Sequence, residues 1–333
     1  MPVVIVDPSS PEDSVIGRAA EILRRGGLVA FPTETVYGLG ANALDIDAVE
    51  RVYAAKGRPA YNPLIVHVAD EGAARSLVSE WPEHASRVAR AFWPGPVTIV
   101  LRKRDLIPAV VTAGLDAVAL RVPAHPIALA LLRAAGIPLA APSANRSTEL
   151  SPTTAQHVER SLGARVDLIL DGGPTQVGIE STVLDLRGPR PSILRPGIIG
   201  ARELEPLVGP LAAPNATRHE IPRPSPGMLD RHYAPRARLA LFDASEAERI
   251  FAETRVLMAR GVRVGMLLVH LDDPGGLEIV RMPSDAVGYA QRLYATLHSL
   301  DEAGCDVIFV ERVPNGPEWL AARDRLERAS TPN

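Results

Sequence analysis

Cysteine is almost absent from this sequence, and long apolar runs are missing from it. Cys305 is the one cysteine among 333 residues, so the chain offers neither an intramolecular disulfide nor a four-cysteine zinc site. No apolar run reaches the eighteen or so residues of a membrane span, and residues 1–10 lack the basic start and apolar core of a signal peptide. These absences predict a cytoplasmic protein without membrane contact.

Lysine is the second scarcity. Of the 36 basic residues only Lys56 and Lys103 are lysines. Arginine serves as well where a surface charge is all that is needed, so the two remaining lysines are candidates for special roles. Charge is evenly spread, with 20 basic and 20 acidic residues in 1–200 and 16 against 19 in 201–333. This balance disfavours a basic nucleic-acid surface on either half.

The composition is otherwise that of a globular protein, 46% hydrophobic and 23% charged, with length for about two domains. Residues 1–200 alternate apolar β-type runs with helical patterns, which predicts an α/β domain with one broad sheet. The predicted strands are 28–31, 64–68, 97–101, 117–122, 168–170, 182–186 and 192–194. The predicted helices are 11–25, 45–55, 83–91, 126–135 and 153–162, with Asp45 and Thr153 as N-caps.

Residues 201–236 are rich in proline, glycine and alanine and show little periodicity. A connection of this length is either disordered or laid across something functional, so we interpret it as a linker. Beyond it, residues 237–333 predict a small α/β domain. Its strands are expected at 238–242, 263–269 and 307–310, and its helices at 245–260, 285–303 and 318–329.

Two polar segments follow predicted elements of the first domain. Residues 31–40 leave a strand and bring Thr33, Glu34, Thr35 and Tyr37 into a turn at a strand end, where open α/β sheets bind ligands. A capped turn whose hydroxyls satisfy local amides is the structural alternative, and the segment alone favours it.

The second segment is a loop that begins with Lys56 and Arg58 and continues to Asn62. A compact ammonium, a planar guanidinium and an amide donor together suit phosphate groups. Basic residues at a helix C-terminus that face its exposed carbonyls are the structural alternative. Spacing alone favours neither interpretation.

Further polar groups follow other apolar runs. Ser143, Asn145, Arg146 and Ser147 suit phosphate or ribose, while the glycine-punctuated segment 172–182 is by itself a weak signal. It matches neither of the nucleotide fingerprints G-x-x-x-x-G-K-[ST] and G-x-G-x-x-G. The eight histidines form no familiar metal-binding pair, so no metal site made of protein side chains alone is expected.

Arg121 and Arg195 lie where predicted strands stop, and His67 lies inside one. Either arginine could bind a carboxylate or a phosphate, but most arginines at strand ends reach solvent or a carbonyl. A histidine inside a strand is more often a hydrogen-bonded core residue than a ligand or base. Taken singly, these three residues therefore favour structural roles.

Together, in order and spacing, these motifs resemble the YrdC-type domain, and the lysine-x-arginine and serine-x-asparagine pairs are the most specific part. The second half adds the segment 225–235, which is similar to the linker of the two-domain threonylcarbamoyl-AMP synthase family. The resemblance spans nearly the whole chain. The segments that carry it are Phe31 to Gly40, Lys56-Gly-Arg58 with Asn62-Pro-Leu64, Arg121-Val-Pro123, Ser143-Ala-Asn145, Gly178-Ile-Glu-Ser-Thr182 and Ser225-Pro-Gly-Met-Leu-Asp-Arg-His-Tyr-Ala-Pro235.

This resemblance implies a YrdC-like twisted open sheet joined by the linker to a small Rossmann-like domain. It also implies an enzyme that joins L-threonine, bicarbonate and ATP into L-threonylcarbamoyladenylate and releases diphosphate, with Mg²⁺ as cofactor. The product would pass to a tRNA threonylcarbamoyltransferase complex that modifies tRNA beside the anticodon. The chain would not need to bind tRNA itself, which agrees with its even charge.

The resemblance also implies two sets of site residues. Arg121 is the natural fork for the threonine carboxylate, and Lys56 and Arg58 would act on the phosphates as the catalytic pair. Tyr233 would reach ATP from the linker, which would then act as a lid. The threonine set is Thr35, His67, Arg121, Ala141 and Ser181, and the ATP set is Lys56, Arg58, Asn62, Ser143, Asn145, Ser151, Arg195 and Tyr233.

Three other functions compete with this one. A YrdC-like module that binds RNA without catalysis would need a basic face, against which the charge balance argues. A carbamoyltransferase of hydrogenase maturation would need zinc-finger cysteines that this chain lacks. A generic ATP-binding protein with a regulatory second domain would differ in having no affinity for threonine.

Overall fold

The computed structural model of the chain describes residues 2–212 and 232–331, apart from residues 274 and 276. These residues form two compact units. The first contains the described residues 2–147 and 151–212, and the second contains 148–150 and 232–331. Across the described part of the chain, every helix is too short or too polar to traverse a lipid bilayer.

The first unit is built on one ten-stranded sheet in the order β1-β8-β2-β3-β7-β4-β6-β5-β9-β10. Parallel pairs such as β4 with β6 and β5 with β9 alternate with antiparallel pairs such as β5 with β6. The strands are Val3–Ile5 (β1), Val29–Phe31 (β2), Gly38–Asn42 (β3), Ile65–His67 (β4), Val97–Arg102 (β5), Ala117–Arg121 (β6), Leu139–Ala140 (β7), Leu168–Asp171 (β8), Thr182–Asp185 (β9) and Ser192–Arg195 (β10).

Apolar side chains of this sheet are buried on both faces, as a layered α/β unit requires. Along β2, Val29 and Phe31 pack into one core with α1 and α5, while Ala30 packs into a second core with α2, α4 and α6. The helices are Asp13–Arg24 (α1), Ile46–Lys56 (α2), Glu71–Ser76 (α3), Glu83–Phe92 (α4), Pro126–Ala135 (α5), Ala155–Leu162 (α6) and Ala201–Val208 (α7), with a 3₁₀ turn at Gly163–Arg165.

One of the two predicted helix caps is confirmed and the other is wrong by one residue. Asp45 accepts hydrogen bonds from the amides of Asp47 and Ala48 and so caps α2. Helix α6 is capped by Thr154, which accepts from the amide of His157 at 3.3 Å. Thr153 does not cap it, because its hydroxyl instead contacts the imidazole Nδ1 of His157.

The second unit is a four-stranded parallel sheet in the order β11-β14-β12-β13, and this confirms the predicted Rossmann-like class. Strand β13 is an addition that the sequence pattern did not predict. The strands are Arg238–Phe242 (β11), Val264–Leu268 (β12), Ile279–Arg281 (β13) and Val307–Glu311 (β14). The helices are Ala247–Ala259 (α8), Ala286–Glu302 (α9) and Leu320–Ser330 (α10), with 3₁₀ turns at Ala244–Glu246 and Pro317–Trp319.

The start of the predicted linker forms helix α7. The carboxylate of Glu203 accepts the Gly200 amide at 3.0 Å at the first turn. Leu204 is fully buried, and Leu207 and Val208 pack against the larger core, so tertiary packing overrides the local proline content. Residues 213–231 of the linker, including the start of the motif at 225–235, lie outside the described residues.

Candidate active site

Arg121 is the centre of a buried polar cluster at the end of β6. Its side chain is 4% exposed, and its Nη2 lies 2.7 Å from a carboxylate oxygen of Glu34, whose side chain is 7% exposed. The same Nη2 donates to the Thr35 hydroxyl at 2.9 Å, and Nε donates to the Gly95 carbonyl at 3.2 Å. Within the described residues Nη1 has no hydrogen-bond partner, which leaves two N–H groups for a ligand.

His67 lies beside this arginine, because β4 and β6 are adjacent parallel strands in which His67 and Arg121 are register partners. Burial, and then the positive charge of Arg121, hold the pKa of His67 well below its ordinary value. The ring is therefore neutral at physiological pH. Its Nδ1 is buried and makes no hydrogen bond with the described residues, so it is available to an incoming polar group.

Ser181 joins the predicted threonine set to the predicted ATP set. The guanidinium of Arg195 donates through Nε to the Ser181 carbonyl and through Nη2 to the Ser181 hydroxyl, each at 3.1 Å. The same hydroxyl lies 2.8 Å from that of Thr98 on β5. A ligand that binds the Ser181 hydroxyl therefore contacts a group whose position is fixed by Arg195.

The loop after α2 closes on itself. Arg58 donates through Nε to the Asn62 carbonyl at 3.1 Å and through Nη2 to the Pro63 carbonyl at 2.9 Å. The Asn62 side chain is fully buried, yet neither its amide nitrogen nor its amide oxygen has a hydrogen-bond partner among the described residues. Since buried polar groups are nearly always paired, this carboxamide is the kind of group that a ligand completes.

The serine–asparagine segment lies against this loop. The Lys56 ammonium, expected to face the phosphates, donates to the carbonyls of Ser143 and Asn145. Farther along, the Ser151 hydroxyl donates to the carboxylate of Glu180. The structure thus brings Lys56, Ser143 and Asn145 into direct contact, and their binding of ATP stays a prediction.

Backbone contacts tie the threonine set together. The Gly178 amide donates to the Thr35 carbonyl at 3.1 Å, and the Val177 amide donates to the Glu34 carbonyl at 2.8 Å. Ala141 is held on the sheet through its own amide, which donates to the Ile65 carbonyl at 2.9 Å. The segments 31–40 and 172–182 therefore converge on the buried cluster, although each is a weak signal alone.

Tyr233 belongs to the second unit. Its ring lies 5.9 Å from that of Tyr294, and the Arg325 guanidinium stands 5.0 Å from its centroid. The next amide, of Ala234, donates to the Thr148 carbonyl at 2.9 Å. Within this unit the residue after Tyr233 is thus hydrogen-bonded to Thr148. The contact of Tyr233 with ATP stays a prediction.

Glu34 is the residue that the sequence analysis placed in a polar turn but left out of both sets. It pairs with Arg121, and its other carboxylate oxygen accepts the Ala124 amide at 3.0 Å. The available signal was its position: an acidic residue between two threonines directly after a buried strand. A carboxylate there needs a buried cation, and Arg121 at the end of another strand of the same sheet was an available partner.

We expect Glu34→Gln to destabilise the empty protein by about 3 kcal/mol, because it leaves the buried Arg121 guanidinium without its counter-charge. The free energy of unfolding in urea measures this. Asp116→Asn is the matched control, since it breaks the ion pairs of an exposed carboxylate with Arg102 at 2.8 Å and Arg187 at 3.5 Å and should cost under about 1 kcal/mol. Equal losses in the two variants would show that the Glu34 pair is not effectively buried.

Two family comparisons cover the chain. The family described as "Telomere recombination", of the Sua5, YciO and YrdC type, matches residues 21–197. The family described as "Threonylcarbamoyl-AMP synthase, C-terminal domain" matches residues 199–331.

Similar proteins include the threonylcarbamoyl-AMP synthase of Bacillus subtilis, 44% identical over 98% of this chain and 96% of its own. That of Pyrococcus abyssi is 42% identical over 96% and 95%. Among solved structures, P. abyssi Sua5 complexed with L-threonine matches with a TM-score of 0.91 and 40% identity, covering 99% of this chain and 98% of that one. E. coli YciO matches the first part, with a TM-score of 0.55, 26% identity and coverage of 61% and 98%.

The two family matches together show a two-domain protein of the YrdC type, with both family domains in one chain. The chain belongs to the threonylcarbamoyl-AMP synthase family.

Proposed function

We propose that the protein makes L-threonylcarbamoyladenylate from L-threonine, bicarbonate and ATP, releasing diphosphate and water. The observation that carries this proposal is the buried cluster around Arg121, which combines a cation with unused N–H groups and a neutral acceptor on His67. The proposal is further supported by the crystal structure of a relative, 40% identical in sequence and similar in fold, in complex with L-threonine.

Threonine carries a carboxylate, an amine and a hydroxyl, and the cluster offers a group for each kind. The carboxylate would bind the Nη1 edge of Arg121, because Nη2 and Nε are taken by Glu34, Thr35 and Gly95. The hydroxyls of Thr35 and Ser181 and the unpaired Nδ1 of His67 would receive the remaining polar groups. A neutral His67 adds no positive charge that would repel the substrate amine.

The reaction itself needs positioning more than a nucleophilic side chain. The threonine amine attacks the bicarbonate carbon, hydroxide leaves and takes up a proton as water, and a carbamate remains. A carbamate oxygen then forms a bond to the α-phosphorus of ATP while the bond to diphosphate breaks. Both partners are substrates, so the protein contributes orientation and charge neutralisation. This transfer of the adenylyl group makes the enzyme a nucleotidyltransferase.

The ATP side would be built by the two adjoining loops. The unpaired Asn62 carboxamide is the clearest contact, with Ser143, Asn145 and Ser151 beside it in the assignment and Arg58 and Arg195 as cations. Arg195 already holds Ser181. Because Arg195 belongs to the ATP set and Ser181 to the threonine set, the adenylyl group and the carbamate would meet beside this hydrogen-bonded pair.

Mg²⁺ is proposed to enter with ATP. The buried amide oxygen of Asn62 is of the kind that this hard cation accepts, and phosphates and water would complete its coordination shell. When bound, the ion would neutralise the charge that develops on the departing diphosphate. We propose further that Tyr233 closes on ATP from the linker and that the product passes to a tRNA threonylcarbamoyltransferase complex.

Diphosphate release tests the proposal. The purified full chain should release diphosphate only when threonine, bicarbonate, ATP and Mg²⁺ are all supplied, and leaving out any one substrate should reduce the rate to background. Binding of RNA with no such turnover would contradict the proposal and favour the non-catalytic RNA-binding alternative.

A further inference from the structure

Lys56 is one of only two lysines in the chain and is the last residue of α2. Gly57 follows it in the left-handed region at φ 59°, which turns the chain out of the helix. The Lys56 side chain is directed into the protein, and the residue is only 2% exposed. A buried ammonium must be surrounded by acceptors, since an unpaired one would be costly.

The acceptors described for it lie in the segment 143–147, here called the serine–asparagine loop. The ammonium donates to the backbone carbonyls of Ser143 and Asn145 and, at 3.4 Å, to the side-chain oxygen of Asn145. An ammonium has three N–H groups, and these three acceptors are enough to engage them. A phosphate oxygen could bind Lys56 only by displacing one of these acceptors, and the displaced buried carbonyl would lose its partner.

The backbone of Lys56 holds the same loop a second time, because the Ser147 amide donates to the Lys56 carbonyl at 2.8 Å. Near its other end the loop is anchored to the residue that directly precedes β3, because the Ala144 amide donates to the Tyr37 carbonyl at 2.8 Å. The middle of the loop, at Asn145, is 1% exposed. Lys56 therefore supplies a charged contact to the buried part of the loop.

We infer that Lys56 is a positioning residue, whose ammonium fixes the shape of the serine–asparagine loop and does not contact the triphosphate. The inference rests on the proposed function only for what Ser143 and Asn145 then bind. Lysine is required because its compact ammonium can point three donors at converging oxygens, whereas the planar fork of arginine cannot. Charge neutralisation of the phosphates is left to Mg²⁺ and to other cations such as Arg58.

Hydrogen–deuterium exchange of the nucleotide-free full chain tests this inference. In Lys56→Met we expect amide exchange across residues 143–147 to rise at least about tenfold, as expected when a local opening loses about 1.4 kcal/mol of protection, while exchange in α1 is unchanged. Lys103→Met is the matched control, because the Lys103 ammonium donates to the Ile107 carbonyl at 2.9 Å, far along the chain from the loop. It should leave residues 143–147 as in the wild type.

Kinetics separate positioning from a merely structural role. Lys56→Arg keeps the charge and serves if the methionine variant folds poorly. We expect it to raise the KM for ATP about tenfold or more and to leave the KM for threonine within about twofold, with faster exchange confined to the loop. Wild-type exchange at 143–147 in both variants, or wild-type exchange and ATP kinetics in Lys56→Arg, would overturn the inference. Because exchange is measured without substrate, the exchange result tests the inference even if no threonylcarbamoyladenylate is formed.

Discussion

Arg121→Ala should weaken threonine binding by at least about a hundredfold while ATP affinity changes less than about threefold. The substitution removes a buried cation that, within the described residues, has N–H groups left for the substrate carboxylate. Losing one partner of a buried, hydrogen-bonded charge pair costs about 2–5 kcal/mol, and each 1.4 kcal/mol is about tenfold in affinity. Titration calorimetry with each ligand separately measures the split.

Two variants control this experiment. Arg102→Ala removes an exposed arginine of the adjacent strand β5 and should bind both ligands as the wild type does. Arg121→Ala leaves Glu34 buried without its counter-charge. The double variant Glu34→Gln/Arg121→Ala removes this unpaired charge and should show the same loss of threonine affinity. Wild-type threonine affinity in the double variant would remove Arg121 from the site.

Asn62→Leu should abolish ATP use without destabilising the protein. The Asn62 carboxamide is fully buried and makes no hydrogen bond in the described structure, so an apolar side chain of similar size loses no bond and avoids burying a polar group. We expect an unfolding midpoint equal to or above that of the wild type. ATP turnover should fall about a hundredfold or more, because ATP loses its hydrogen bonds with the Asn62 carboxamide.

Asn42→Leu should have the opposite effects on stability and on ATP turnover. Its amide oxygen accepts the Leu44 hydrogen bond at 3.0 Å, and we expect the change to cost about 1 kcal/mol of stability and to leave ATP turnover unchanged. The pair of variants thus compares one substitution at a satisfied and at an unsatisfied asparagine. Clear destabilisation by Asn62→Leu together with normal ATP turnover would show that Asn62 is structural.

Much of the first unit could be predicted from alternation and caps, and the failures have identifiable causes. Strand β3 contains two glycines in five residues and has the composition of a turn, yet it pairs with both β2 and β7 and is held by them. Strand β7 is two residues long, below what any periodicity can reveal. In both cases the tertiary partners, which local sequence does not show, decide the structure.

In the candidate site too, the sequence showed which residues belong together but not which tertiary partners they bind. Motif order brought Lys56, Ser143 and Asn145 into one set, and the structure places them in contact. Motif order did not show that the lysine ammonium donates to the loop, because that depends on where two carbonyl oxygens point. Glu34 was likewise overlooked because its importance lies in a partner 87 positions away, Arg121.

Isotope tracing of the product tests the central claim most directly. The full chain would be supplied with ¹³C-bicarbonate, ¹⁵N-threonine, ATP and Mg²⁺, and the adenylate would be analysed by mass spectrometry. We predict one adenylate that contains both the bicarbonate carbon and the threonine nitrogen, formed together with diphosphate. An adenylate that contains threonine without the bicarbonate carbon, or AMP alone, would contradict the account.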